Sequence, residues 1–99
     1  MDYTNTFNCL AIDMGASNIS LMLGRISADS LEYEEIFRFS NDIIQKGEQE
    51  CWDLDNILEN IIRGIRKSLE KEKQIFSLGV DSWGVDFVLL DEEGKLIGN

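Results

Sequence analysis

The sequence predicts an α/β domain: an antiparallel β-meander, a crossover helix, a parallel strand and a final β-hairpin. Short apolar runs with a two-residue alternation occupy residues 9–12, 19–26 and 33–39, whereas apolar residues recur with helical spacing only between residues 54 and 69. Because a helical crossover returns the chain to the end where it started, we expect the strand at 75–81 to lie parallel to the first strand.

The first three strands are joined by short turns. The first run ends at Asp13, and the small residues that follow it allow a tight turn before the strand at 19–26. The alternation in the third strand predicts one shared face for Tyr33, Glu35, Phe37 and Phe39. We expect residues 41–52 to form a loop that contains Gly47.

The helix is predicted to begin after Asp53, whose carboxylate can accept a hydrogen bond from the first turn. Gly64 weakens the helix and indicates that something packs closely at that position. The predicted apolar stripe consists of Leu54, Ile57, Leu58, Ile61, Ile65 and Leu69.

The last part of the chain predicts a strand at 75–81, a strand at 85–90 and a turn at 91–94. The return strand begins at residues 95–97. Since Asp13 and Asp81 each end an apolar run, and the two strands are predicted to be parallel, both carboxylates are expected at the same edge of the sheet.

Composition excludes several classes of function. A chain of 99 residues has room for one small domain, and its formal charge of −10 argues against nucleic acid and anionic membrane as partners. No apolar run approaches the ~20 residues that span a bilayer. Histidine is absent, so no histidine base or metal ligand is available. Cys9 and Cys51 are expected to be free thiols in a cytoplasmic protein.

The first chemical signal is the turn between the first two strands. Asp13 emerges at the end of a buried strand, where a carboxylate can hold hydrated Mg²⁺. Gly15 allows unusual backbone dihedrals and lets phosphate oxygens approach the backbone, while Ala16 and Ser17 add little bulk. The alternative for this tripeptide alone is a plain hairpin turn.

The second signal lies between residues 79 and 87, where two carboxylates, an indole and two glycines are close in sequence. Sugars are bound by carboxylates that accept from hydroxyl groups and by aromatic faces that pack on C–H surfaces. Asp81, Trp83, Gly84 and Asp86 are therefore candidate sugar-binding residues. The alternative is a buried Trp83 beside a turn with solvated acids.

These segments together resemble the FGGY carbohydrate kinase family, and within it the rhamnulokinase branch. The resemblance covers essentially the whole chain in the right order. Residues 10–17 resemble the family's phosphate-binding hairpin, and residues 79–91 resemble the rhamnulokinase segment nearly residue for residue. Two shorter matches are Arg38-Phe39-Ser40-Asn41 and Trp52-Asp53-Leu54-Asp55.

The resemblance implies an actin-like ATPase fold of the ribonuclease-H type and transfer of the ATP γ-phosphate to the 1-hydroxyl of a ketose such as L-rhamnulose. By matching position, Asp13 falls on the Mg²⁺-associated acid and Gly84 on a sugar-contacting glycine, with Asp81, Trp83 and Asp86 beside it. The ATP-contacting stretch falls on Asp13, Gly15, Ala16, Ser17, Asn18, Ile19 and Ser20.

One departure concerns this stretch. Rhamnulokinases usually carry Ser-Gly-Arg where this chain has Asn18, Ile19 and Ser20. Serine cannot replace the charge or the planar donors of the missing arginine, so phosphate binding is expected to be weaker.

The resemblance also implies that residues 1–99 form only part of the N-terminal kinase domain. The general base and the adenosine-binding second domain are expected outside this chain, which alone is expected to be inactive and to self-associate through exposed strand edges. Two alternatives stay open: another kinase of the family, such as a fuculokinase or xylulokinase, and a non-catalytic module that binds a sugar or a protein.

Overall fold

The computed structural model describes residues 7–84 and 88–97. Its main layer is a four-stranded sheet in the order β3-β2-β1-β6, and one helix, α1, packs on one face of that sheet. In chain order the elements are β1 (Phe7–Met14), β2 (Asn18–Ile26), β3 (Leu31–Ser40), β4 (Ile43–Lys46), β5 (Gln49–Trp52), α1 (Leu54–Lys71), β6 (Ser77–Ser82), β7 (Leu89–Leu90) and β8 (Leu96–Ile97).

The predicted arrangement of the sheet is confirmed. The first three strands form an antiparallel meander, and β6 pairs parallel to β1 after the helical crossover. The parallel register places Leu10 beside Leu78 and Asp13 beside Asp81. The mixed sheet and the helix packed on it make the described part of the chain an α/β fold, as the apolar periodicities indicated.

The core lies between the sheet and the helix. Leu10 and Ile12 of β1 face the helix, as do Ile19 and Leu21 of β2. Ile57 of α1 closes this buried cluster from the other side. Each fully buried leucine or isoleucine stabilises the fold by about 1.5–3 kcal/mol relative to an exposed one, so this small cluster supplies much of the driving force for folding.

A β-bulge changes the faces of β3. Leu21 is paired with Phe37 and Met22 with Glu35, so Ile36 is the extra residue. Phe37 therefore faces the helix, whereas Glu35 faces the opposite side. The predicted single face for Tyr33, Glu35, Phe37 and Phe39 is wrong, because one inserted residue inverts the alternation on either side of it.

The helix begins and packs largely as predicted. Asp53 is its N-cap, and the Asp53 carboxylate accepts a hydrogen bond from the Asn56 N–H at 3.2 Å. The side that packs on the sheet is narrower than the predicted stripe, since Leu58 is 60% exposed. Gly64 is buried against β2 and β3, where a Cβ atom would lie 2.7 Å from Leu21 Cδ2. Close packing at this glycine is thus confirmed.

The segment predicted as a loop between residues 41 and 52 contains a β-hairpin. Its strands are β4 and β5, and Gly47 turns the chain between them with a φ of 62°. The apolar signal is weak because β4 and β5 are short and mostly exposed. Cys51 is buried in β5 rather than placed in a polar loop, and both Cys9 and Cys51 are free thiols.

The terminal hairpin is formed by β7 and β8. Their turn is closed by a hydrogen bond from the Gly94 N–H to the Asp91 carbonyl at 3.0 Å, and the Asp91 carboxylate accepts from the Glu93 and Lys95 N–H groups. The predicted turn at 91–94 is therefore confirmed. The start of the predicted strand at 85–90 lies outside the described residues.

The helix side of β6 is incompletely covered. Leu78 and Val80 share a face with the core residues of β1, yet they are 49% and 58% exposed. An apolar groove of about 290 Å³ lies beside them; it is lined by Leu10, Ile65, Leu69, Ile75, Phe76, Ser77 and Leu78. Among the described residues no strand pairs with the outer edge of β6 or β3. Self-association through such edges stays a prediction.

No helix in the described part of the chain is long and apolar enough to cross a membrane.

A cluster of ion pairs connects the C-terminal end of the helix to the sheet. Arg25 of β2 contacts Glu34 of β3 at 2.9 Å and Glu72, the C-cap residue of α1, at 3.1 Å. Lys71 contacts Glu34 at 2.9 Å, and the Asn8 side-chain amide donates to Glu72. Hydrogen bonds from Lys71 and Arg25 lower the pKa of Glu34 below its ordinary value of 4.5.

This cluster predicts a pH dependence of stability. Since the folded pKa of Glu34 is depressed, its contribution is present above the unfolded pKa and is lost as the pH falls through the folded value. We expect Glu34→Gln to destabilise the chain near pH 7, and expect the difference from the parent to shrink below about pH 4. Urea unfolding across this pH range measures it.

Glu35→Gln is the matched control, because it removes the same charge from an exposed pair with Arg38. Equal pH profiles for the two variants would contradict a role for Glu34 in fastening the helix.

Candidate functional site

The predicted site residues lie at one end of the sheet, called the loop end here. It comprises the carboxyl ends of β1 and β6, the turn at 15–17 and the start of β2. The end of β3 joins them, because Ser40 pairs with Asn18. The antiparallel meander and the parallel crossover thus bring together residues such as Asp13 and Asp81, which are 68 positions apart in the chain.

The turn at 15–17 is closed by a backbone hydrogen bond. The Gly15 N–H donates to the Asn18 carbonyl at 2.9 Å, and a Cβ atom on Gly15 would lie 2.7 Å from that same oxygen. Gly15 does not have a positive φ, so the predicted need for unusual dihedrals is wrong. Glycine is required here because the backbone of Asn18 approaches too closely for a side chain.

Two carboxylates lie side by side at the loop end. Asp13 and Asp81 are direct register partners on neighbouring parallel strands, which are about 4.8 Å apart, and both are exposed. They point to the sheet face opposite the helix, since Ile12 beside Asp13 faces the core. The prediction that both acids meet at one edge of the sheet is confirmed.

The same cross-strand row continues over the other two strands. Ser20 is the partner of Asp13 on β2, and Arg38 is the partner of Ser20 on β3. Arg38 is exposed, and its guanidinium contacts Glu35 at 2.8 Å. Arg38 is therefore next to Ser20 in the sheet, although the predicted phosphate-binding stretch itself contains no arginine.

The predicted ATP-contacting residues differ in accessibility. Ala16, Ser17 and Asn18 are exposed, whereas Ile19 and Ser20 are buried. The Ile19 side chain belongs to the core cluster, so it shapes the site only by anchoring the start of β2. The accessible part of the stretch therefore consists of Asp13 and residues 16–18.

Two tryptophans meet after the end of β6. The rings of Trp52, at the end of β5, and Trp83, after β6, lie 4.9 Å apart at 42°. Trp52 also packs against the core cluster, so the Trp83 ring contacts a side chain that is itself anchored in the core. Among the described residues, no atom outside its chain neighbours lies within 4 Å of a Cβ built on Gly84. Asp86, the fourth predicted sugar-binding residue, lies outside the described residues.

Sequence reasoning did not assign a site role to Asn41. It follows β3 at the loop end and is only 5% exposed. Its side-chain amide donates to the Gly15 carbonyl at 3.1 Å, and its backbone N–H donates to the Ser17 carbonyl at 2.9 Å. A single asparagine after a strand is an ordinary turn signal, so only the three-dimensional structure identifies this contact.

The donor set fits a hydrated magnesium ion better than a fully protein-bound metal. Within residues 7–84 and 88–97, no three histidine, cysteine, aspartate or glutamate side chains converge. Adjacent Asp13 and Asp81 offer carboxylate oxygens only. Mg²⁺ characteristically takes one or two carboxylates and keeps several waters, and it uses phosphate oxygens for the remaining positions.

The chain is similar to two curated rhamnulokinases. It is 40% identical over 93 residues to the rhamnulokinase of Mannheimia succiniciproducens and 43% identical over 83 residues to that of Oceanobacillus iheyensis. The matches cover 92% and 84% of this chain, but the chain spans only 19% and 18% of those relatives. No protein-family model matches the chain. The identities show a relationship to sugar kinases over most of the chain.

Proposed function

We propose that this chain is the N-terminal part of an ATP-dependent FGGY sugar kinase that phosphorylates L-rhamnulose at its 1-hydroxyl. The observation that carries the proposal is the register of Asp13 with Asp81 at the loop end, beside an exposed turn of small residues. The similarity to rhamnulokinases supports the sugar, and the carboxylate pair supports a nucleotide bound with magnesium.

The turn at 15–17 binds the phosphates through its backbone. Ala16 and Ser17 place no large side chain in front of the N–H groups, and Gly15 keeps the turn tight against Asn18. Backbone N–H groups in such a turn can bind an anion without a basic side chain, which is compatible with the formal charge of −10.

Asp13 would hold the magnesium ion, and Asp81 is its direct register partner on the neighbouring strand. The ion supplies charge neutralisation between phosphate oxygens when it is bound. With Arg38 on the same face, this row presents both a carboxylate pair for a cation and a guanidinium for an anion.

The sugar binds next to the carboxylates, along Trp83 and Gly84. The indole offers an apolar face to sugar C–H groups, and the open space at Gly84 lets a ligand reach the backbone. Asp81 and Asp86 accept hydrogen bonds from sugar hydroxyls. The general base and the adenosine pocket are supplied by parts of the kinase outside residues 1–99, so this chain alone is inactive.

Titration of the chain with Mg·ATP tests the nucleotide part of the proposal. We expect weak binding, with a Kd on the order of 1 mM, because half of the cleft is missing. Asp13→Asn is expected to weaken Mg·ATP binding about tenfold and to change binding of metal-free ATP little. Backbone amide shifts at residues 15–18 and the fluorescence of the two tryptophans follow the titration.

Asp29→Asn is the control, since Asp29 is an exposed acid in the turn after β2, at the opposite end of the sheet. Equal Mg·ATP affinities for the two variants would exclude Asp13 as the metal-associated acid. Production of ADP that depends on added L-rhamnulose would show that the chain alone is active and would contradict the incomplete-cleft proposal.

A further inference from the structure

Asn41 makes two hydrogen bonds to one short turn. Its Nδ2 donates to the Gly15 carbonyl at 3.1 Å and its backbone N–H donates to the Ser17 carbonyl at 2.9 Å. The partners lie 26 and 24 positions earlier in the chain, so these bonds are tertiary. They connect the end of β3 to the turn between β1 and β2.

The Asn41 side chain is not explained by folding alone. Its Oδ1 is buried and has no hydrogen-bond partner among the described residues. The Gly15 carbonyl oxygen can only accept a hydrogen bond, so the amide of Asn41 must be oriented with its NH₂ group toward that oxygen. In this orientation Oδ1 is the acceptor that has no partner within the described part of the chain. A buried acceptor without a partner destabilises a fold, and an apolar residue of similar size would avoid that cost.

The two bonds also determine which way the turn's N–H groups point. In a planar trans peptide the C=O and the following N–H point in opposite directions. The Gly15 carbonyl points toward Asn41, so the Ala16 N–H of the same peptide unit points away from Asn41. Holding the Ser17 carbonyl likewise turns the Asn18 N–H away from β3, toward Gly15 on the opposite side of the hairpin. Ala16 is exposed, so its N–H is the candidate donor for a ligand.

We propose that Asn41 is a positioning residue that turns the Ala16 N–H group outward to bind a phosphate oxygen. The proposal rests on the proposed function, because it assigns to the turn the phosphate groups of a nucleotide. It gives the buried amide a role that an apolar residue could not fill. The anion is bound by backbone dipoles, and Asn41 acts only through the backbone that it holds.

The test compares the parent chain with Asn41→Leu, Asn41→Asp and the control Ser40→Ala. Leucine keeps the volume but removes the donor, whereas aspartate is nearly isosteric and places an oxygen against the Gly15 carbonyl. Ser40 is the neighbouring residue, and its exposed hydroxyl bonds only to Asp42 among the described residues. Amide hydrogen exchange and Mg·ATP-induced amide shifts are measured for all four chains.

We expect the Gly15 amide, which donates to Asn18, to exchange about fivefold faster in Asn41→Leu and Asn41→Asp than in the parent. The amides of Leu21 and Leu23 in the core are expected to exchange as in the parent, which separates a local effect from general destabilisation. Mg·ATP is expected to bind either variant about tenfold more weakly than it binds Ser40→Ala, with a smaller shift at Ala16.

Unchanged Gly15 exchange in both variants would overturn the proposal. Faster exchange with an undiminished Mg·ATP shift at Ala16 would overturn it as well, because the turn would then bind phosphate without Asn41. If Mg·ATP shifts no amide of the parent chain, the proposed nucleotide binding is wrong. Faster Gly15 exchange in the two variants would in that case still show that the Asn41 hydrogen bonds stabilise the turn.

Discussion

Replacing Leu21 with alanine is expected to lower the free energy of unfolding by about 3–5 kcal/mol. Leu21 is fully buried at the centre of β2, where it lies beneath the helix and next to Phe37. The substitution removes buried apolar area and leaves a cavity that a four-stranded sheet under a single helix can close only partly. A domain of this size is stable by only about 5–15 kcal/mol, so the effect is large.

Leu58→Ala is the matched control, since it removes the same atoms from a side chain that is 60% exposed. It is expected to change stability by less than about 1 kcal/mol. Urea unfolding followed by tryptophan fluorescence measures both variants, with Leu21→Val in reserve if the alanine variant does not fold. Similar losses for Leu21→Ala and Leu58→Ala would show that the described core is not the one that stabilises the chain.

The contrast between these two leucines shows what sequence periodicity can predict. Helical spacing places both Ile57 and Leu58 within a broad apolar stripe, but only Ile57 is buried. The apolar stripe indicates that one side of the helix is apolar. Which of its residues are covered by the sheet depends on the rotation of the helix about its own axis. Gly64 permits one close approach in this arrangement, because a Cβ atom there would lie 2.7 Å from Leu21 Cδ2.

The candidate site was predictable where it depended on strand ends. Asp13 and Asp81 each follow an apolar run, and the helical crossover makes the two strands parallel, so their proximity follows from local patterns and chain topology. The position of Arg38 beside Ser20 was not predictable. It depends on the bulge at Ile36, which changes the register by one residue without any glycine or proline to mark it.

Asn41 was missed for a different reason. Its contacts join the end of one strand to a turn formed some 25 residues earlier, and no periodicity connects the two. The hairpin of β4 and β5 that follows is equally hard to predict, because four-residue strands with mostly exposed residues carry little alternation. Both belong to the segment that links the meander to the helix.

The second large effect is expected from Gly64→Ala. In an isolated helix this change stabilises by about 1 kcal/mol, because alanine is the better helix former. Here the new Cβ would lie 2.7 Å from Leu21 Cδ2 and 3.1 Å from Phe37 Cδ2. Overpacking of a buried position costs about 1–3 kcal/mol, so the helix must shift or Leu21 must leave its rotamer. We expect a net loss of roughly 1–2 kcal/mol, measured by urea unfolding.

The double variant Leu21→Ala/Gly64→Ala decides whether that contact is the cause. Without the Leu21 methyl groups the clash disappears on one side, so Gly64→Ala should cost less than in the parent or become stabilising through helix propensity. A coupling of about 1–3 kcal/mol between the two positions is expected, since they are in direct contact. Strict additivity would mean that Gly64 does not set the approach of the helix, and that the helix's rotation over the core must have another origin.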